Sequence, residues 1–364
     1  MLDDLFIINE GGQLLFSFHP KDADVEITEN RDDLISGFLT ALNTFATFEK
    51  GEDLKALKLK ETNIIFEKSD EYLQNLMFVI TTKNEKVLDL LKSIVQEIMK
   101  RFTDRFKEDL EREFDGMVSK FAIFHENVEE IIQSYGLDIA KKLTQKIDGK
   151  NALKSLVILN ANNGNILYIH AKQYVNKEKI TFLIPLISNS VKLLYRDNLN
   201  EPIQWILLRT IKNEGLVVEI RDKVLVVKQY ESNGKVDKKG LDLDLIENLK
   251  KIKKKLDQID LDSRIKQVFA VNLDGMIKYS QIYDNSYDCS DYIPETISVF
   301  ISSRKACNEL YSKELLYSSI GGEKILTICV NLKEHALILI CNMRELNQYE
   351  EIHEICVNIL NQLS

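Results

Sequence analysis

Pairs of short apolar runs, joined by a turn that contains glycine, occur three times along the chain. The pairs are Leu5–Phe18, Ser155–His170 and Gln267–Gln281, and they turn at Gly11-Gly12, Asn163-Gly164 and Asp274-Gly275. Asparagine ends the first run each time, at Asn9, Asn160 and Asn272. Because Asn-Gly and Asp-Gly tolerate the backbone of tight turns, the pattern predicts three β-hairpins with both turn residues at positive φ.

The same succession of elements follows each hairpin: a mostly apolar helix, three strands and an amphipathic helix. In the first copy the spacing predicts a helix over Asp32–Phe48 and one long helix over Glu85–Glu113. A further helical stretch, Val118–Ile147, could close the first copy or lead into the second. Sequential antiparallel strands predict one five-stranded sheet per copy, covered by helices. The fold class is therefore α/β, of the α+β sandwich type, with predicted domains over residues 1–118, 119–260 and 261–364.

The second and third copies carry their own helix and turn signals. Pro185 lies inside a predicted helix and should kink it or mark its start, whereas Pro294 suits the first turn of another. Gly321-Gly322 is interpreted as a hairpin turn. Closing helices are predicted over Leu243–Ile259 and Leu346–Leu360.

Size and charge narrow the class of protein. A chain of 364 residues is too long for one ordinary core, so two or three domains are expected. A net charge of −9 argues against broad nucleic-acid binding. Five cysteines without a CxxC pair suggest reduced core residues. The acidic start, and the lack of a long apolar run, predict a cytoplasmic protein with peripheral membrane contact as an open alternative.

Residues with catalytic spacing are not found in the sequence. It has no GxxxxGK(S/T) loop, and its five histidines form no HExxH pair. The acidic cluster Glu108, Asp109, Glu111 and Glu113 is interpreted as a solvated helix face. We therefore predict no catalytic residue, cofactor or metal and a protein that is not an enzyme. An enzyme whose site is assembled across domains remains an alternative, because Cys and His partners can be distant in sequence.

One helix suggests a partner surface. No charged residue occurs between Leu34 and Phe48, and apolar residues cover about half of the helix circumference at 100° per residue. With that half turned inward, the predicted partner-binding face is the uncharged polar one: Ser36, Thr40, Asn43, Thr44 and Thr47. Such a face could meet a partner subunit, a GTPase or a neighbouring copy, or be covered within this chain. The stretch Ile180–Val191 also lacks charge.

A dense basic run is the second candidate surface. It comprises Lys250, Lys251, Lys253, Lys254 and Lys255. The run is either a solvated helix face or a contact for an anionic lipid surface or an acidic partner.

The order of elements resembles the longin and roadblock families of small αβα domains. The resemblance rests on the three hairpins, on GFLTALNTFATF (Gly37–Phe48) and on KVLDLLKSIVQEIMKRFTDRF (Lys86–Phe106). Copy one is most similar to a longin domain, and copies two and three are similar to either family. The whole layout resembles the tri-longin subunits of heterodimeric Rab exchange factors.

That resemblance implies a function without catalytic residues. It implies a vesicle-trafficking platform that binds a small Ras-like GTPase and a longin or roadblock subunit, as a homo- or heterodimer, and promotes nucleotide exchange. The alternative is a structural subunit of a coat, tether or receptor complex that has no effect on nucleotide.

Overall fold

Two compact units make up the computed structural model, Met1–Leu143 and Thr144–Ser364. The structure describes residues 1–20, 31–69, 75–112, 116–148, 152–212, 214–230, 249–258, 261–284, 289–344 and 349–363. Antiparallel sheets covered by helices occur in both units, which confirms the predicted mixed α/β class. The division into three longin-like domains stays a prediction.

The first unit contains five strands and a set of helices. The strands are β1 (Asp4–Asn9), β2 (Leu14–Phe18), β3 (Ala56–Lys58), β4 (Asn63–Ser69) and β5 (Leu76–Thr82). The helices are α1 (Arg31–Lys50), α2 (Leu88–Arg105), α3 (Lys107–Leu110), α4 (His125–Ser134) and α5 (Leu137–Asp148), which continues past the unit boundary. Short 3₁₀ segments precede α2 and α4, at Glu85–Val87 and Val118–Phe124.

The second unit contains ten strands and four longer helices. Its first half has β6 (Leu153–Asn160), β7 (Ile166–Ala171), α6 (Lys177–Leu194), β8 (Ile203–Thr210), β9 (Gly215–Ile220), β10 (Val224–Tyr230) and α7 (Leu249–Leu256). Its second half has β11 (Ile265–Asn272), β12 (Ile277–Ile282), α8 (Ile293–Tyr311), β13 (Leu315–Gly322), β14 (Ile325–Leu332), β15 (His335–Asn342) and α9 (Tyr349–Leu363). A π-helical turn, Tyr195–Leu199, extends α6, and a 3₁₀ turn, Ser290–Tyr292, precedes α8.

One strand order is used three times. The first sheet runs β2-β1-β5-β4-β3, and the same order appears as β7-β6-β10-β9-β8 and as β12-β11-β15-β14-β13. In each group the hairpin forms one end, and the first strand after the helix forms the other. The repeat that the sequence predicts is thus present in the strand pairing of both units.

The three hairpins share a turn that differs from the predicted one. In each turn only the second of the two turn residues has positive φ: Gly12 at 81°, Gly164 at 71° and Gly275 at 85°. A register shift follows in each ladder, which is the signature of a bulged turn with a single left-handed residue. The asparagine side chains accept backbone N–H bonds inside the turns, which explains the repeated Asn9, Asn160 and Asn272.

Aromatic packing divides the predicted long helices of the first unit. Phe102 contacts the rings of Phe78, Phe106, Phe121 and Phe124 at centroid distances between 4.8 and 5.9 Å. At Phe106 the backbone leaves helical geometry (φ −108°). The stretch predicted as one helix over 85–113 therefore contains two helices, α2 and α3. The stretch 118–147 is likewise divided, and Gly136 (φ 70°) separates α4 from α5.

A seam between β8 and β13 joins the two halves of the second unit into one ten-stranded sheet. Leu207 lies opposite Ser319 in this seam. These two residues occupy equivalent positions. In each half, the residue four positions before the turn asparagine can be followed from strand to strand through its ladder partners, and the last partner is Leu207 or Ser319. The rows are Leu156, Lys228, Val217, Leu207 and Val268, Leu339, Ile328, Ser319, and the first unit has Leu5, Ile80, Ile65, Ala56. The seam therefore has local two-fold symmetry.

Gly321 and Gly322 lie in strand β13 and not in a hairpin turn, so that prediction is wrong. A Cβ atom on Gly321 would overlap the indole of Trp205, which lies opposite in β8. A Cβ atom on Gly322 would overlap the carboxylate of Glu201. Glycine is needed here because the first half of the unit packs closely on this strand.

Polar groups close the same junction. The hydroxyl of Tyr195 donates to the Ile320 carbonyl at 2.9 Å, and the carboxylate of Glu201 accepts the N–H groups of Lys324 and Ile325 at 3.1 Å. Burial raises the pKa of Glu201 despite these two bonds. Both side chains follow α6 and bind the second half, so they tie the two halves together.

The ten-stranded sheet has a helix layer on each face. Helices α6 and α8 pack on one face and on each other. On the opposite face, α9 and the end of α7 cover the second core. Pro185 lies within α6, with its ring against the turn at Gly164, and Pro294 occupies the first turn of α8 as predicted. The five cysteines are buried, and none of them forms a disulfide.

A half-buried histidine in α9 gives the second unit a pH-dependent stability. Burial lowers the pKa of His353 below its ordinary 6.5, and its Nδ1 has no hydrogen-bond partner among the described residues. Below about pH 6.5 this histidine is protonated in the unfolded chain but stays neutral in the folded protein. The free energy of unfolding of the second unit therefore falls as the pH falls. We expect His353→Leu to remove about 1 kcal/mol of the stability change between pH 7.5 and 5.5, as measured by urea unfolding. Parallel pH profiles for the two proteins would contradict this assignment.

Candidate functional site: two exposed apolar helix faces

Helix α1 presents the face that we expected it to bury. Ser36 and Asn43, two of the predicted partner-binding residues, are buried against their own unit, whereas Thr44 and Thr47 are exposed and Thr40 is half-buried. The side chains that face solvent are large and apolar: Leu34 (73% exposed), Phe38 (57%), Phe45 (64%) and Phe48 (86%). We call these four residues the α1 face. The predicted contact by the polar residues stays a prediction, but the stronger candidate is this apolar face.

Small polar side chains explain the rotation of α1. Gly12 leaves room for the side chain of Thr40, so the hairpin turn reaches the helix closely. The hydroxyl of Ser36 donates to the Asp33 carbonyl at 2.9 Å, and Asn43 Oδ1 accepts the Leu54 N–H at 3.3 Å. These residues satisfy their polar groups while lying against the sheet, so their burial costs little.

A charged network fixes the first turn of α1. His19 lies between Asp4 in β1 and Asp32 in α1, with 2.8 Å from each ring nitrogen to a carboxylate oxygen. Each ring nitrogen therefore faces a carboxylate oxygen, and the ring joins β1 to the start of α1. Thr81 donates to Asp4 at 2.9 Å, and Arg31 approaches it at 3.3 Å. Spacing along the chain indicated no partner for His19, because Asp4 and Asp32 belong to other elements.

The equivalent helices of the second unit are covered more completely. Helix α6 buries seven residues and α8 buries eight, whereas α1 buries three. Thr40 and Pro185 both meet the turn glycine of their own copy, and matching them aligns α1 with α6. Phe38 then corresponds to the buried Leu183, and Leu34 to Lys179, whose ammonium binds Glu309 of α8 at 2.8 Å. Two residues of the α1 face, Leu34 and Phe38, thus occupy positions at which α6 pairs with α8 or is buried.

A second apolar surface runs along the paired helices of the second unit. Phe182, Leu186 and Leu193 of α6 are 50 to 68% exposed, and Ile301 of α8 is 42% exposed. We call these four residues the α6–α8 ridge. Several apolar side chains this exposed within one helix layer are typical of a protein-binding surface. The sequence showed that this stretch lacks charge, but it could not show which residues face solvent.

The lysine run divides among several environments. Lys253 and Lys254 are exposed, whereas the ammonium of Lys255 donates to the Leu363 carbonyl at 2.6 Å and so caps α9. The side chains of Lys250 and Lys251 lie outside the described residues, as do residues 243–248 of the predicted helix. Contact with a lipid or an acidic partner stays a prediction for Lys253 and Lys254.

A cavity of about 430 Å³ lies between the start of α6 and the end of α8. Its described lining contains neither histidine nor cysteine. Burial raises the pKa of Tyr230, which lines it, to about 12, so this hydroxyl is protonated at neutral pH. Lys179 and Glu309, on opposite walls, are paired with each other. The described lining therefore offers hydrogen-bonding groups and the Lys179–Glu309 ion pair.

Among the described residues, no group of three or more His, Cys, Asp or Glu side chains comes together as a metal site would require. No described helix has the length and apolar character that crossing a bilayer requires. The two apolar helix faces are therefore the surfaces with the clearest functional character. In comparisons with known proteins, no protein-family model matches the chain and no curated protein matches it significantly.

Proposed function

We propose that this protein is a non-enzymatic platform that binds a small Ras-like GTPase and a longin or roadblock subunit. The observation that carries the proposal is the pair of exposed, uncharged apolar helix faces on a sheet-and-helix scaffold. The α6–α8 ridge is assigned to the GTPase, and the α1 face to the longin or roadblock subunit. The resemblance of the element order to longin and roadblock proteins supports the identity of both partners.

Helix pairing inside the second unit supports the assignment of the α1 face. Two equivalent modules there bury their helices against each other and join their edge strands. The first unit has the same strand order, but β3 forms the edge of its sheet and α1 is largely uncovered. A module of the same plan would complete it in the same way.

Nucleotide exchange is the proposed consequence of GTPase binding. A platform that binds the nucleotide-free form of a GTPase more tightly than the loaded form shifts the population toward release. The test is the release of fluorescent GDP from a panel of small Ras-like GTPases, with and without the protein. We expect acceleration of at least about tenfold for one member, which corresponds to a fall of about 1.4 kcal/mol in the activation free energy of release.

The same assay separates the alternatives. Binding without faster release would favour a structural subunit of a coat, tether or receptor complex. Neither binding nor release across the panel would contradict the platform. A Leu186→Asp variant serves as the matched control, because this exposed change should abolish the effect without altering the fold.

A further inference from the structure

We infer that the cavity between the start of α6 and the end of α8 binds a small organic cation, namely a primary ammonium group on a short carbon chain. The cavity measures about 430 Å³, which is within the range of small-molecule sites, and it lies entirely in the second unit. Its lining and the α6–α8 ridge share no residue, so the inference goes beyond the proposed function.

A buried carboxylate oxygen is the first observation behind this inference. Glu214, immediately before β9, lines the cavity, and its Oε2 has no hydrogen-bond partner among the described residues. At the opposite end of α6, by contrast, the carboxylate of Glu201 accepts two backbone N–H groups. Leaving a buried acceptor unpaired costs free energy. Because Glu214 as a whole is only half-buried, a ligand in the cavity can approach its carboxylate and supply a donor.

The end of helix α8 favours a cation as well. Tyr311, the last residue of the helix, lines the cavity, and a helix C-terminus carries partial negative charge. The Lys179 ammonium already binds here, 2.8 Å from both the carbonyl oxygen and a carboxylate oxygen of Glu309. The hydrogen bond from Lys179 lowers the pKa of Glu309, so this carboxylate is ionised at neutral pH. One ammonium is thus held by the chain itself, and Glu214 can hold a second.

Three tyrosines contribute to the same lining. Tyr174, Tyr230 and Tyr311 supply rings, whose faces attract organic cations, and hydroxyl groups, whose oxygens accept hydrogen bonds. The Tyr311 hydroxyl donates to the Gly215 carbonyl at 3.3 Å, which holds this side chain close to Glu214. Rings and carboxylates together are the groups that recognise an ammonium ion.

Two apolar side chains indicate the rest of the ligand. Val175 and Ile180 are buried and line the cavity, so they offer a surface to a short carbon chain. Free amino acids and polyamines share this chemistry, because both join a primary ammonium to a few aliphatic carbons. Model compounds distinguish these two sources.

Isothermal titration calorimetry on the full-length protein tests the inference with butylamine, butanol, putrescine and leucine as probes. We expect butylamine to bind with a Kd of about 1 mM or tighter, and butanol to bind at least about tenfold more weakly, because only the amine is charged. Whichever of putrescine and leucine binds more tightly identifies the source of the ammonium as a polyamine or an amino acid.

Two variants connect the binding to this cavity. Glu214→Gln should weaken butylamine binding at least about tenfold, because the amide is neutral. Tyr174→Ala, an exposed change, should weaken it about two- to fivefold without affecting the fold. Glu323→Gln, exposed in the turn between β13 and β14 and outside the lining, is the matched control and should bind as the wild type does. Circular dichroism checks that each variant is folded.

Several results would overturn the inference. They are equal affinity for butylamine and butanol, no binding of any of the three amines, and wild-type affinity in folded Glu214→Gln protein. If Glu214→Gln does not fold, unchanged affinity in Tyr174→Ala has the same meaning. GDP release is measured separately, so failure of this inference would leave the platform standing.

Discussion

Gly321→Val should destabilise the second unit by about 3 kcal/mol or more, because any side chain at this position overlaps the Trp205 indole. Trp205 is nearly fully buried in the core under α9 and the end of α7, and it packs edge-on against Tyr349 of α9. The indole therefore has little room to move. For a unit of this size the Tm should fall by about 6–12 °C. Thermal unfolding followed by calorimetry measures the effect.

Gly37→Ala provides a control of opposite sign. No atom lies within 4 Å of the place where its Cβ would be, and the residue is in a regular helix. Alanine there should stabilise the first unit by about 0.5–1 kcal/mol. If Gly321→Val unfolded at the wild-type temperature, the close approach of β8 to β13 would be contradicted.

The double variant Phe182→Asp, Leu186→Asp should weaken GTPase binding at least about 100-fold. Both side chains are half or more exposed on the α6–α8 ridge, so their replacement should leave the Tm of the second unit almost unchanged. Binding is measured by biolayer interferometry with the GTPase that responds in the release assay. Glu354→Ala, an exposed change in α9 on the opposite face of the sheet, is the matched control. Wild-type affinity in the double variant would remove the ridge as the GTPase surface.

The hairpins and their helices were predictable because their signals are local. Asn160 and Gly164, for example, set a turn whose bonds lie within a few residues. Period-two and period-3.6 patterns then gave the order of strands and helices. The prediction that both turn residues have positive φ was wrong, since a turn followed by a bulge needs only one left-handed residue.

The orientation of α1 could not be read from periodicity. Apolar and small polar residues are spread around this helix, so burial of either face was consistent with the pattern. Contacts with residues outside the helix decide which face of α1 is buried, including Gly12 beside Thr40 and Leu54 beside Asn43. An argument from the polar face alone therefore missed the exposed apolar side chains of α1, and contact by the polar residues stays a prediction.

Edge pairing and close packing were also beyond local signals. The sequences of β8 and β13 do not predict that these strands pair, because the pairing joins residues more than one hundred positions apart. Gly321-Gly322 resembled a turn for the same reason, since the need for glycine comes from Trp205 and Glu201 in the other half. Such tertiary requirements override local turn preference.

Hydrogen–deuterium exchange on the full-length protein tests the central claim most directly, namely that the second unit has already paired the kind of edge strand that the first unit leaves at the end of its sheet. Amides of β8 and β13 should exchange slowly, whereas those of β3 should exchange much faster. Rapid exchange along the β8–β13 seam, or exchange in β3 as slow as in the seam, would contradict the account.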